Sequence, residues 1–319
     1  MRTTLDLRRI LIFLGFAFGT AWATALVIWK TGGLFNSPVL IANTPVTLAL
    51  VLTASAYMWG PTLAHVLTRL LTREGWEGSG LALNFKKGWR YWMAGWFGPA
   101  LLTLLGAASY FLLFPQQFDV SGQGLATLME SMGAAQTGPA DLPFATLALL
   151  GISQAILASP LLNSLFTFGE EFGWRAYLQP KLLPLGWRPA MLWMGLIWGV
   201  WHWPIIWMGH NYGLEYPGAP WAGMLVMVWF TLVSGIFLGW ITLKGGSVWP
   251  AVIGHAALNG IAGSALLFTS GPAYPLLGPL PVGLVGSAGF AALALWLFLH
   301  PGAMQAAAED VSRETLRRV

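Results

Sequence analysis

Apolar stretches of about twenty residues or more recur along this chain, near residues 10–29, 46–68, 91–114, 150–178, 189–209, 221–243, 247–269 and 278–299. At a rise of about 1.5 Å per residue, each is long enough as a helix to cross the roughly 30 Å hydrocarbon core of a bilayer. Lipid offers the backbone no hydrogen-bond partner, so a spanning segment of this length must satisfy its own amides as a helix. Composition agrees. Only 9% of the 319 residues are charged while 56% are hydrophobic, against roughly 25% charged in soluble domains. The pattern predicts an all-α, polytopic membrane protein with about eight transmembrane helices. The fourth stretch is the least regular, because it starts after Pro143, contains Pro160 and runs through charged residues to Pro180.

Lys and Arg collect on the cytoplasmic side of membrane proteins. With an even number of spans and both termini cytoplasmic, every one of the 16 cationic residues except Lys30 falls inside, while Asp119, Glu130, Asp141 and Glu215 fall on the outer loops. Seven or nine spans destroy that agreement. Arg8 and Arg9 precede the first span and no small-residue cleavage site follows it, so it reads as a retained helix in a multi-pass protein of the plasma membrane. The net charge of +4 comes from short loops, not from a basic stripe, which argues against a nucleic-acid partner. The absence of cysteine excludes disulfides, thiolate nucleophiles and Cys-ligated zinc. The whole chain, residues 1–319, reads as a single membrane domain with a polar, helix-favouring cytoplasmic tail from about 301 to 319. The 19 tryptophans fit a bilayer interface, with several near the candidate site. The Gly- and Ser-rich loop from Pro115 to Pro143 is expected to include a short surface helix.

An ionisable side chain inside a span costs several kcal/mol unless it is paired or hydrated, so each needs a reason. Three clusters stand out. In GEEFGWRAYLQPKL, Glu171 and Arg175 are four apart and can pair on one helical face, which leaves Glu170 to be satisfied by another helix or by water. In WGVWHWP, Trp198 and His202 share a face, and in GHAALNG so do His255 and Asn259. Counting from Gln179, Glu170 lies about 13 Å from the cytoplasmic end of its helix, a depth at which His202 and His255 can meet it. Each residue also has a bland reading. Glu171 and Arg175 make an ordinary helical ion pair, Trp198 is packing, and Asn163, on nearly the face of Glu170, is glue between helices. His65, His210 and His300 read as interfacial, and the small residues from Gly286 to Gly289 as close helix packing.

These three motifs, in this order on successive spans, resemble those of the CPBP intramembrane proteases, the family that includes Rce1-type CAAX prenyl endopeptidases and bacterial Abi-type proteins. The family's EExxxR resembles Glu170, Glu171 and Arg175, its FxxxH resembles Trp198 to His202, and its HxxxN resembles His255 to Asn259, within a core of about 150–265. Trp198 departs from the usual Phe but keeps the ring. The resemblance implies helices surrounding a conical intramembrane cavity and an endopeptidase without a cofactor. In it Glu170, with His202, activates a water, while His255 and Asn259 stabilise the oxyanion. Glu171 and Arg175 then hold the helix in register; Arg175 facing a substrate carboxylate is the alternative. The implied partners are membrane lipids and a membrane-associated or lipidated peptide, cut near the cytoplasmic face. Zinc on Glu170, His202 and His255 is the rival chemistry, although no HExxH pair is present. A proton-coupled transporter and a noncatalytic membrane scaffold are the rival functions.

Overall fold

The computed structural model describes residues 5–126, 142–271 and 273–316. The expected surface helix between Pro115 and Pro143 lies largely outside them, as do Glu130 and Asp141. Among the described residues the chain is helical, with no β-strand and two isolated bridges, Val39 with Thr47 and Phe118 with Thr269.

Four helical segments are long and apolar enough to cross a membrane: Leu7–Lys30 (α1), Phe85–Leu113 (α4), Trp221–Gly245 (α11), and Trp249–Phe268, which is α12 (Trp249–Ile261) extended by a 3-10 turn. The remaining expected spans are assembled from shorter pieces. The second consists of Leu48–Leu52 (α2), a π turn at Thr53–Tyr57 and Gly60–Thr72 (α3). The fourth is broken into Phe144–Leu157 (α5), Ser159–Leu162 (α6), Ser164–Gly173 (α7), a π turn at Trp174–Leu178 and Gln179–Leu182 (α8). The fifth divides into Trp187–Trp201 (α9) and Trp203–Trp207 (α10). Prolines mark the breaks, with Pro61, Pro160, Pro180 and Pro204 each in the first turn of the piece that follows. A proline has no amide hydrogen to donate to the carbonyl four residues earlier. The eighth stretch is a correction: it is helical only over Ala288–Leu299 (α13), 12 residues, or about 18 Å, because the prolines at 279 and 281 keep its first half in turns. A polar helix, Gln305–Leu316 (α14), follows as expected.

Aromatic donors serve two of these breaks. Pro160 leaves the Ile156 carbonyl without its helical donor, and the Trp96 indole donates to it at 2.8 Å. Near Pro204 the Trp201 carbonyl accepts from the Tyr57 hydroxyl at 2.6 Å and from the Trp22 indole at 3.2 Å. A buried carbonyl in an apolar medium needs a partner, and an indole carries its donor on a large apolar body.

Helix α11 lies at the centre, with 72% of its apolar window buried. Small residues let its neighbours approach. A Cβ added at Gly195 or Gly199 of α9 would lie 2.6–2.7 Å from Leu232 and Val228 of α11, and one at Gly95 of α4 would lie 2.5 Å from the Pro250 carbonyl of α12. Buried apolar residues drawn from α1 through α14 form one large core, and Phe172, Ala176, Val248 and Val252 form a second, smaller cluster. The cationic segments gather at one end of the bundle. There Glu74 takes Lys181 at 2.6 Å and Arg9 at 3.5 Å, Asn84 donates to the Gly246 carbonyl at 2.5 Å, and Arg188 donates to the Phe298 carbonyl at 2.6 Å. Near the described starts and ends of the chain, Arg9 and Val311 line one small cavity.

Candidate active site

The sequence GEEFG places a small-xxx-small face on α7. Gly169 and Gly173 are one turn apart, and a Cβ at either would lie 2.8 Å from the Met58 carbonyl or 2.4 Å from the Pro61 backbone. That close contact with α3 sets the rotation of α7. The two glutamates between the glycines therefore point away from α3, about 100° apart, toward α9 and α12. A hydrogen bond from Thr167 Oγ1 to the Val252 carbonyl at 2.9 Å fixes α7 against α12.

Glu171 is fully buried. Its Oε1 accepts from Arg175 Nη1 at 2.9 Å and from His255 Nδ1 at 2.8 Å, so the i, i+4 pair read from the sequence is present with an imidazole added. Arg175 belongs to the π turn, and its guanidinium lies 4.3 Å over the Trp198 ring. Glu170, 3% exposed, is satisfied from another helix as the spacing required: Trp198 Nε1 donates to its Oε2 at 2.8 Å. His202 caps α9, and its Nδ1 contacts the Trp198 carbonyl at 2.7 Å. A carbonyl only accepts, so the proton is on Nδ1 and the lone pair of Nε2 is available.

The three motifs converge on Trp198. The His202 and His255 rings meet it edge-on at centroid distances of 5.7 and 5.3 Å, while Glu170 and Arg175 take its N–H and its face. Among the described residues no hydrogen bond joins Glu170 directly to His202. Glu170, His202 and His255 are all buried, whereas Asn259, one turn beyond His255, is exposed. Among the described residues no group of three or more His, Asp or Glu is arranged to hold a metal ion.

Several partners of the site were not legible beforehand. Tyr57, fully buried in the first π turn, holds the broken end of α9 through the Trp201 carbonyl and packs on the Trp201 ring at 4.4 Å. Its only sequence signal is a polar aromatic in the middle of an apolar run. His65 has partners that its spacing did not indicate. It is 0% exposed and not a ring facing the surface, with Nδ1 against the Phe172 carbonyl at 2.8 Å and Nε2 accepting from Arg69 Nε at 2.6 Å, so it ties α3 to the end of α7. Asn163 donates to the Ala256 carbonyl at 3.3 Å, a bond between helices. The run from Gly286 to Gly289 is close packing: a Cβ at Gly289 would lie 2.2 Å from the Leu102 carbonyl, and Ser287 is buried and bonded to the Trp229 indole.

Fold and site together define a polytopic helical membrane protein with an acid–imidazole centre buried between its helices. Residues 147–261, which contain all seven of these site residues, match the family model described as type II CAAX prenyl endopeptidase Rce1-like. Over these residues the chain is similar to the Rce1-like CAAX prenyl endopeptidases. No curated protein matches the chain.

Proposed function

We propose that the protein is a glutamate-dependent intramembrane endopeptidase acting on a membrane-associated or lipidated peptide near the cytoplasmic face of the plasma membrane, with both termini cytoplasmic. The observation that carries this reading is the buried Glu170 carboxylate, bonded through one oxygen to Trp198, whose ring is met edge-on by two imidazoles with their Nδ1 atoms already engaged. His202, with its proton on Nδ1, offers Nε2 as an acceptor that orients a water. Glu170 takes that water's proton as it attacks the scissile carbonyl, and returns the proton to the leaving amine. His255 faces the oxyanion with Nε2. It donates there only as the doubly protonated ring, and Glu171, 2.8 Å from Nδ1, is the counter-ion for that form. Asn259, exposed on the next turn of α12, supplies the second donor. Arg175 balances the charge of Glu171 and holds the register of the π turn. No cofactor enters these steps.

The test is cleavage of peptides with and without a lipid anchor by the wild type and Glu170→Gln in liposomes, each with and without a chelator. The Gln variant is expected to lose cleavage by at least about a hundredfold at unchanged folding, the range set by removing a general base, and chelation is expected to change nothing. Equal cleavage by both proteins removes Glu170 as the base and gives weight to a carrier or scaffold. Inactivation by the chelator with rescue by zinc replaces the mechanism with a metal-dependent one.

A further inference from the structure

The Trp198 indole is 2% exposed and the Glu170 carboxylate 3%, so neither group has bulk water as an alternative partner. An indole N–H can only donate. The 2.8 Å contact therefore always leaves Glu170 Oε2 as the acceptor. The terminal torsion of a glutamate is broad and two-fold, so an unrestrained carboxylate presents either oxygen to its surroundings. The indole removes that freedom. The orientation of the ring is itself held from its face by the Arg175 guanidinium at 4.3 Å, which is paired to Glu171, which in turn holds His255. A chain of contacts thus runs from His255 through Glu171, Arg175 and Trp198 to Glu170.

We propose that Trp198 is a positioning residue that fixes the Glu170 carboxylate through its N–H, reserving Oε1 for the reacting water, and that Arg175, anchored by Glu171, aims the base by holding this ring. The proposal rests on the reading of Glu170 as the base. It assigns Trp198 a role that ring bulk alone does not supply. It also gives the two adjacent glutamates different roles, since Glu170 reacts while Glu171 anchors the group that aims it.

The experiment uses Trp198→Phe, which keeps an aromatic ring and removes the donor. Steady-state cleavage in liposomes is expected to show kcat lowered about ten- to hundredfold, the range carried by one hydrogen bond to a charged group, with KM unchanged within about twofold. The second readout does not depend on activity. In protein with 15N-labelled indoles, the Trp198 Nε1 proton, assigned by its loss in Trp198→Phe, is expected to resonate downfield and to move upfield in Glu170→Gln, whose amide is the weaker acceptor. An unchanged kcat in Trp198→Phe overturns the proposal, and so does an indole resonance that Glu170→Gln leaves in place. Should Trp198→Phe fail to fold, 3-benzothienylalanine at position 198, which replaces N–H by sulfur in the same ring shape, is expected to show the same kcat loss. If Glu170→Gln cleaves like the wild type, the base assignment falls, while the indole resonance still decides whether the hydrogen bond exists.

Discussion

Two acids in this protein gather comparable sets of partners in different media. Glu171 holds Arg175 and His255 within 2.9 Å in the middle of the bundle, and the three side chains are 0–7% exposed. Glu74 holds Lys181 at 2.6 Å, the Tyr177 hydroxyl at 2.9 Å and Arg9 at 3.5 Å at the basic end, beside a cavity of about 70 Å³. Around Glu74 the side chains of Glu74 and Arg9 are 11% and 17% exposed, so water and ions reach the cluster. The inventory of charge is similar; what differs is what replaces a lost partner. At the basic end, solvent can hydrate a charge that loses its counter-ion. Around Glu171 nothing can, and a buried charge left alone is far more costly than the intact pair is favourable. The geometry near the carboxylates therefore depends on an all-or-nothing polar network, while the basic end tolerates loss.

The comparison predicts an order of effects. Glu171→Ala leaves Arg175 buried without its counter-ion and is expected to destabilise the protein by about 3–5 kcal/mol, read by denaturant unfolding in mixed micelles, with loss of cleavage. Glu74→Ala removes an acceptor shared by Lys181 and Tyr177 and is expected to cost about 1–3 kcal/mol. Raising the salt concentration should shrink the Glu74 effect and leave that of Glu171 in place, because only the former is within reach of mobile ions. Arg313→Ala deletes the 3.4 Å pair with Glu309 on α14, whose side chains are 69% and 49% exposed; no measurable shift of the unfolding midpoint is expected. A Glu74 variant less stable than the Glu171 variant, or equal salt sensitivity in both, breaks the distinction between the two clusters.

Part of this organisation is legible in residue order alone. The long uninterrupted helices α1, α4 and α11 follow from apolar runs without internal breaks, apart from Pro99, which α4 absorbs. The Glu171–Arg175 pair follows from i, i+4 spacing, and so does the surplus of Glu170. The short pieces are harder to read. A proline inside an apolar run says that the helix is disturbed, but whether it kinks, splits or merely shifts is decided by which donor reaches the freed carbonyl. Trp96 and Tyr57 are 60 and 144 residues away from the carbonyls they serve. The shortness of α13 is not legible in hydropathy, because residues 278–287 are as apolar as a span while their prolines and glycines form turns.

The medium, the helical class and the chemical inventory of the site were thus set by residue order, because hydropathy, backbone satisfaction in lipid and helical spacing are local properties. Three other features came from helix packing: the Trp198 N–H goes to Glu170 and not to Glu171, His255 joins the Glu171–Arg175 pair, and His65 is a buried link between helices. These depend on the rotation and separation of helices far apart in the chain. That rotation is set by backbone contacts at Gly169, Gly173, Gly195 and Gly199, where the absence of a side chain lets one helix rest on another.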